Sequence, residues 1–195
     1  MRELIFASNN KGKIVEIQHL VNNNIKIISL QEAGIAEEIE EPFDTFAQNA
    51  RAKADYVYRK TGIDCFADDS GLVVPALGGA PGVYSARYAG SPTNDAANNH
   101  KLLEAMRHVE DRQAYYQSVI CLISGDGTRY FEGRCQGTLT ETPRGDGGFG
   151  YDPLFVPDGY TQTFAELPLA EKSKISHRAA AMRQLCSYLN QQQAL

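Results

Sequence analysis

The sequence predicts an α/β fold, and three features carry that prediction. The chain opens on an apolar run, Leu4 to Ala7, followed by Ile14, Ile17, Leu20 and Val21 at helical spacing, then a second strand-like run from Ile25 to Leu30. Strand, loop, helix, strand is the opening of an α/β layer. Further along, two long strand-like runs, Ala114 to Ser124 and Thr128 to Leu139, flank Gly125-Asp126-Gly127, which reads as a hairpin turn. Helix-spaced segments lie before and after these runs.

Ser8-Asn9-Asn10-Lys11-Gly12-Lys13 is a polar turn between the first strand and its helix. Glu37 to Glu41 form an acidic segment that Pro42 ends. Thr45 to Lys60 is the clearest helix, with Phe46, Ala50, Ala54, Val57 and Tyr58 on one stripe and Asn49 and Lys53 one turn apart beside it. Asparagine has weak helix propensity, so Asn49 suggests a use for its amide. Cys65-Phe66-Ala67 reads as a short buried strand, Asp68-Asp69-Ser70-Gly71 as the stretch that ends it, and Leu72-Val73-Val74 as a further apolar run. After the glycine-rich Leu77 to Gly82, Thr93 is placed to cap a helix from Asn94 to His108. A second glycine cluster spans Gly145 to Pro153, and Leu154 to Val156 is a short strand. The last helix is expected from near Ser173 or Ser176 to about Asn190, with Ala179, Met182, Leu185 and Leu189 inward and Gln191 to Gln193 as a frayed tail.

The chain has 195 residues, 43% hydrophobic and 22% charged, enough for one packed domain. A net charge of -5 argues against binding polymeric nucleic acid, which needs a basic face. It leaves room for a small anion held by local cations and a metal. The four cysteines, Cys65, Cys121, Cys135 and Cys186, show no C-x-x-C spacing, so neither a zinc site nor a disulfide framework is expected. They read as thiols in a reducing compartment. The apolar start is too short for a signal peptide and no run reaches membrane-spanning length, so a cytoplasmic location without membrane attachment is expected.

Four polar clusters carry the chemistry. Two adjacent acids beside a buried strand, Asp68 and Asp69, are costly without a partner, and a divalent cation is one such partner; a polar turn is the alternative. Glu41 is the third metal candidate. Ser8 to Lys13 precedes a helix start, where N–H groups and lysines suit phosphate, although it is no Walker motif: the glycine spacing fails and Ile14 stands where Ser or Thr would be. An ordinary turn with solvated lysines explains that segment equally. Phe149 and Tyr151 in the glycine loop either stack on a nucleobase or plug the core. Lys172 to Arg178 places cations at an expected helix start, against the helix dipole, which an anion or carbonyl-rich ligand would offset; a solvated basic turn is the alternative. Together these are the parts of a nucleotide phosphohydrolase.

Taken in order, Ser8-Asn9-Asn10-Lys11-Gly12-Lys13, Phe46-Ala47-Gln48-Asn49-Ala50, Ala67-Asp68-Asp69-Ser70-Gly71-Leu72, Gly78 to Tyr88, Gly147 to Pro153 and Glu171 to Arg178 resemble the inosine/xanthosine triphosphate pyrophosphatase family across nearly the whole chain. The resemblance implies an elongated mixed β-sheet flanked by helices, one bilobed domain over residues 1–195 with the nucleotide cleft between the lobes, and a homodimer. It implies magnesium-dependent hydrolysis of a deaminated purine nucleoside triphosphate (ITP, dITP or XTP) to monophosphate and pyrophosphate. By motif position, Asp69 would be the general base and with Glu41 would hold the metal, Asp68 being a further candidate ligand. Ser8, Asn9, Asn10, Lys11, Gly12, Lys13, Lys53 and Ser70 would bind the triphosphate. Phe149, Gly150, Tyr151, Asp152, Lys172, His177 and Arg178 would bind base and sugar. The chain departs from the family pattern at Pro42-Phe43-Asp44, where a glycine is usual, and at Gln48, where a glutamate is usual. That could leave the metal one carboxylate short unless Asp44 substitutes. A pyrophosphatase for modified pyrimidine or methylated nucleotides, and a non-catalytic nucleotide-binding module, are the rival readings.

Overall fold

The computed structural model describes residues 2–21 and 25–192. Strands β1 (Arg2–Phe6), β2 (Ile25–Ile28), β3 (Cys65–Val73), β4 (Gln113–Ser124), β5 (Gly127–Leu139) and β6 (Phe155–Pro157) form one sheet in the order β2-β1-β3-β4-β5-β6. β1 is parallel to both β2 and β3, and β6 is antiparallel to β5, so the sheet is mixed, as expected. The helices are α1 (Lys11–Leu20), α2 (Phe46–Thr61), α3 (Asp95–Ala105), α4 (Leu169–Ile175) and α5 (His177–Gln192). Among the described residues, no helix is long and apolar enough to cross a membrane.

The chain folds as two compact units. One comprises Met1–Asp69, Ser118–Gly133 and Arg178–Leu195; the other comprises Ser70–Gln117 and Arg134–His177. The first holds two cores. Leu4, Phe6, Ile17, Phe66, Ile120, Leu122, Met182 and Leu185 form one; Ile5, Ala7, Leu30, Ala50, Ala54, Val57 and Cys121 form the other. The second unit packs Leu72, Leu102, Met106, Tyr116, Tyr151, Phe155 and Phe164. Each fully buried side chain of this size contributes about 1.5–3 kcal/mol.

Several expectations need correction. Asp68 to Gly71 is no turn: β3 runs unbroken through both acids. The strand continues because Gly71 allows it, since a Cβ there would lie 2.3 Å from the Gly82 carbonyl oxygen and 2.4 Å from Ser85 Oγ. Ser85 Oγ accepts the Leu72 N–H at 2.9 Å in that space. The second correction concerns the basic cluster. Lys172 and Lys174 lie in the last turn of α4, where cations suit the helix dipole, and α5 starts anew at His177. The helix expected over Asn94 to His108 spans only Asp95–Ala105, and Asn94, not Thr93, caps it. Lys11 to Lys13 belong to the first turn of α1, with Asn10 as its cap. Gln191 and Gln192 are helical, while the expected fraying at Gln193 lies outside the described residues.

Candidate active site

In the first unit, α2 is built to hold an acidic segment. Thr45 Oγ1 accepts the Gln48 N–H at 3.2 Å and donates to Gln48 Oε1 at 2.8 Å, closing the helix start. This gives Gln48 a capping role. Asn49, buried in mid-helix, donates through Nδ2 to the Phe43 carbonyl and accepts the Phe43 N–H at Oδ1, both at 2.9 Å. Its amide thus ties the segment after Glu41 to the helix. One turn on, the Lys53 ammonium pairs with Glu41 Oε1, donates to the Asp68 carbonyl oxygen at 3.0 Å and lies 3.8 Å from Asp69 Oδ1. Burial pulls the Lys53 ammonium down, but Asp69 and Glu41 more than offset this and hold it above its ordinary range.

α1 brings the second lysine. Asn10 Oδ1 accepts the Lys13 N–H at 3.0 Å, and Ser8 Oγ accepts the Asn10 N–H at 3.2 Å, so the polar turn shapes the helix start. A helix start leaves its first N–H groups without intrahelical acceptors, which suits an anion at Lys11 and Gly12. The Lys13 ammonium reaches Asp68 Oδ2 at 3.0 Å and the Asp68 carbonyl at 3.2 Å.

The two adjacent acids differ in environment. Asp68 is fully buried. Its Oδ1 accepts from Ser118 Oγ, and its Oδ2 accepts from Lys13 and, at 3.2 Å, from Arg178 Nε. Arg178 also pairs with buried Glu16 through Nη1. Burial raises the Asp68 carboxyl, but Lys13, Arg178 and the Ser118 hydroxyl outweigh it and hold it far below the usual carboxylate range. Asp69 is shifted the opposite way. Burial, reinforced by Glu41 and Asp68, raises its carboxyl despite Lys53 and Lys13. Neighbouring carboxylates pushed apart in proton affinity mark a division of labour: one fixed anion, one group able to take a proton.

The carboxylate of Asp68 is taken up by Lys13, Arg178 and Ser118, which makes it the hub of a charge network that also holds Arg178 and Glu16. Glu16 and Ser118 were missed from sequence: a glutamate in an amphipathic helix and a serine in an apolar strand give no distinguishing signal.

For a metal, Glu41 and Asp69 are the donors left. Both approach one cationic point, the Lys53 ammonium, which shows that their negative potential converges. Among the described residues, no three His, Cys, Asp or Glu side chains gather into a metal cage. Two carboxylates nevertheless suit magnesium, which is commonly held by one or two carboxylates together with substrate phosphates.

The second unit brings together Phe149, Asp152, Lys172 and His177. Lys172 Nζ lies 2.5 Å from Asp152 Oδ2 and 5.0 Å from the Phe149 ring centroid. The Phe149 N–H donates to the same oxygen at 2.9 Å. Gly148, at φ +74°, makes this possible, since a Cβ there would come within 2.1 Å of Asp152 Oδ2. From α3, Asp95 Oδ2 accepts the Gly150 N–H at 2.7 Å and Asn99 Nδ2 donates to the Gly150 carbonyl at 2.9 Å, fixing the loop at one residue. Tyr151 is not a stacking platform. It is buried in the core and its hydroxyl donates to the Ser85 carbonyl at 2.8 Å, so the core-plugging alternative holds for it. Phe149 is only half-buried. Ser70 is a half-buried residue of β3.

Known proteins are similar to this chain along nearly their whole length. A relative from Porphyromonas gingivalis named dITP/XTP pyrophosphatase is 50% identical over 190 residues, covering 97% of this chain and 98% of its own. One of the same name from Christiangramia forsetii is 50% identical over 188 residues, covering 96% and 99%. The solved Ham1 protein of Staphylococcus aureus superposes with a TM-score of 0.89 at 37% identity, over 98% of this chain and all of that one. A HAM1 protein from Coxiella burnetii gives a TM-score of 0.89 at 40% identity, with the same coverage. The Ham1 family profile matches residues 4–188. With the same fold, and identity of this order from end to end, the chain belongs to the Ham1 family.

Proposed function

We propose that this chain hydrolyses deaminated purine nucleoside triphosphates, ITP, dITP and XTP, to the monophosphate and pyrophosphate with magnesium. The observation that carries the chemistry is the placement of Asp69. It is a buried carboxyl with raised proton affinity, 3.8 Å from the Lys53 ammonium, next to a fixed anion that holds Lys13. The names borne by the relatives supply the substrate class. They also count against the pyrimidine and methylated-nucleotide alternative. A non-catalytic binder would gain nothing from acids clustered beside a polyphosphate.

In this reading Asp69 takes the proton from a water whose oxygen bonds the α-phosphorus, while the bond to the β-phosphate oxygen breaks and pyrophosphate leaves. Lys13 and Lys53 turn from the Asp68 carbonyl to the phosphate oxygens and offset charge on the leaving group. Ser8 to Gly12 and Ser70 complete the phosphate contacts. Glu41 and Asp69 would hold magnesium, which supplies charge neutralisation of the phosphate oxygens when bound. At the base end, Lys172 and His177 serve as donors for the 6-carbonyl of hypoxanthine or xanthine, beside Phe149 and Asp152. Adenine carries an amino group there and offers those donors no acceptor. The homodimer, which the family resemblance implies, and the cytoplasmic location, expected from the sequence, belong to the same proposal.

The test is pyrophosphate release from ITP, dITP, XTP, GTP and ATP, with magnesium and with excess chelator. We expect release from the first three, far less from ATP, and none without divalent cation; GTP, which also carries a 6-carbonyl, reports whether the 2-position is read as well. Equal turnover of ATP and ITP would overturn the substrate class; no release from any substrate would overturn the hydrolase.

A further inference from the structure

Tyr116 on β4 touches two of the residues assigned to the base end. Its ring stacks on His177 with centroids 4.7 Å apart and planes 9° apart. Its hydroxyl donates to Asp152 Oδ1 at 3.4 Å, while Asp152 Oδ2 takes Lys172 and the Phe149 N–H. Tyr116 is itself held by Phe155, edge-on at 4.8 Å, and by Phe164, stacked at 5.9 Å. A rigid aromatic is thus packed on its outer side by the core and presents a face to one functional side chain and a hydroxyl to another.

We infer that Tyr116 is a positioning residue that sets base affinity by fixing the plane of His177 and the carboxylate of Asp152. This rests on the proposed function, in which those two residues face the purine. His177 opens α5 directly after the break at Ser176 and is buried with its ring nearly parallel to that of Tyr116, so the Tyr116 face bears on the plane of the imidazole. The stack is the larger contribution, because aromatic pairs add to burial whereas a hydrogen bond of 3.4 Å is weak.

Binding of IMP, which carries base and sugar, is compared with binding of inorganic tripolyphosphate, which has no base, by calorimetry on the full chain. For Tyr116→Leu we expect IMP affinity to fall by about tenfold and tripolyphosphate affinity to stay within about twofold. Tyr116→Phe keeps the stack and should restore IMP affinity to within about threefold of the parent. A simple packing defect would weaken both ligands. Where Tyr116→Leu fails to fold, Tyr116→Met, which lacks the ring but has a flexible side chain that fills irregular core gaps, should give the same split. Parent-like IMP affinity in the Leu or Met variant, or equal loss of both ligands, would overturn the inference. A parent that binds IMP but releases no pyrophosphate from ITP would instead sink the proposed activity, leaving the role of Tyr116 to be read from the same affinities.

Discussion

Lys13 and Lys53, from two different helices, donate to one backbone oxygen, the carbonyl of Asp68, at 3.2 and 3.0 Å. Two ammonium groups sharing one acceptor repel each other, and the arrangement is held by Asp68, Asp69 and Glu41 around them. A polyphosphate offers these lysines better acceptors than a carbonyl, since hydrogen bonds between ionised groups are the stronger kind. Lys13→Ala and Lys53→Ala should therefore each lower kcat/KM on ITP and on residual ATP by a similar factor, about tenfold or more, because every triphosphate has the same tail. Steady-state rates on both nucleotides check this. A change in the ITP/ATP ratio for Lys13→Ala would show that it reads the base.

Asp69→Asn should remove nearly all turnover without loss of stability. The raised Asp69 carboxyl means that folding favours its protonated form. Its contribution is therefore favourable below the ordinary value of 3.8 and turns unfavourable as pH rises through the folded-state value. At neutral pH the neutral amide escapes that cost. A melting temperature at pH 7.5 at or above the parent's is expected, together with a lost rate. Retained activity would remove Asp69 from the chemistry.

Arg178→Ala should be among the most destabilising single changes, by about 3–5 kcal/mol, because it removes the buried cation that Glu16 and Asp68 share. Urea denaturation measures it. The Asp68 side of the network carries a pH signature. Its depressed carboxyl contributes stability that is present above 3.8 and is lost as pH falls through the lower folded-state value. The stability gap between parent and Asp68→Asn should accordingly be full at pH 6 and narrow progressively below pH ~4. A gap independent of pH down to ~2 would mean that Asp68 is not held as a fixed anion.

Asn49→Ala removes both bonds to the Phe43 backbone. Loss of about 1–2 kcal/mol is expected, with a raised magnesium requirement because Glu41 is no longer steadied. Magnesium titration of the rate separates the two effects. An unchanged half-saturating concentration would detach Asn49 from the metal site.

Much of this was legible in the sequence. The α/β order followed from periodicity and the mixed sheet from the family resemblance, and Asn49 signalled its amide by sitting where helix propensity disfavours it. The cysteines read as free thiols; Cys65, Cys121 and Cys135 are buried, and burial pushes each up to about 12. What failed were features fixed by distant partners. Asp68-Asp69-Ser70-Gly71 has turn composition, yet it is strand, because Lys13, Lys53 and Arg178 arrive from three helices to neutralise it and Gly71 admits Ser85. The ion pair of Arg178 gave no sequence signal because its partner Glu16 lies 162 positions away in the chain. Tyr151 looked like a stacking residue, but its acceptor is Ser85, far back in the sequence.

The most direct test is to hydrolyse ITP in ¹⁸O-labelled water with magnesium and to locate the label. If water activated by Asp69 attacks the α-phosphorus, the heavy oxygen appears in IMP and the pyrophosphate stays unlabelled. Label in pyrophosphate, with none in IMP, would place the attack on the β-phosphorus and contradict the account.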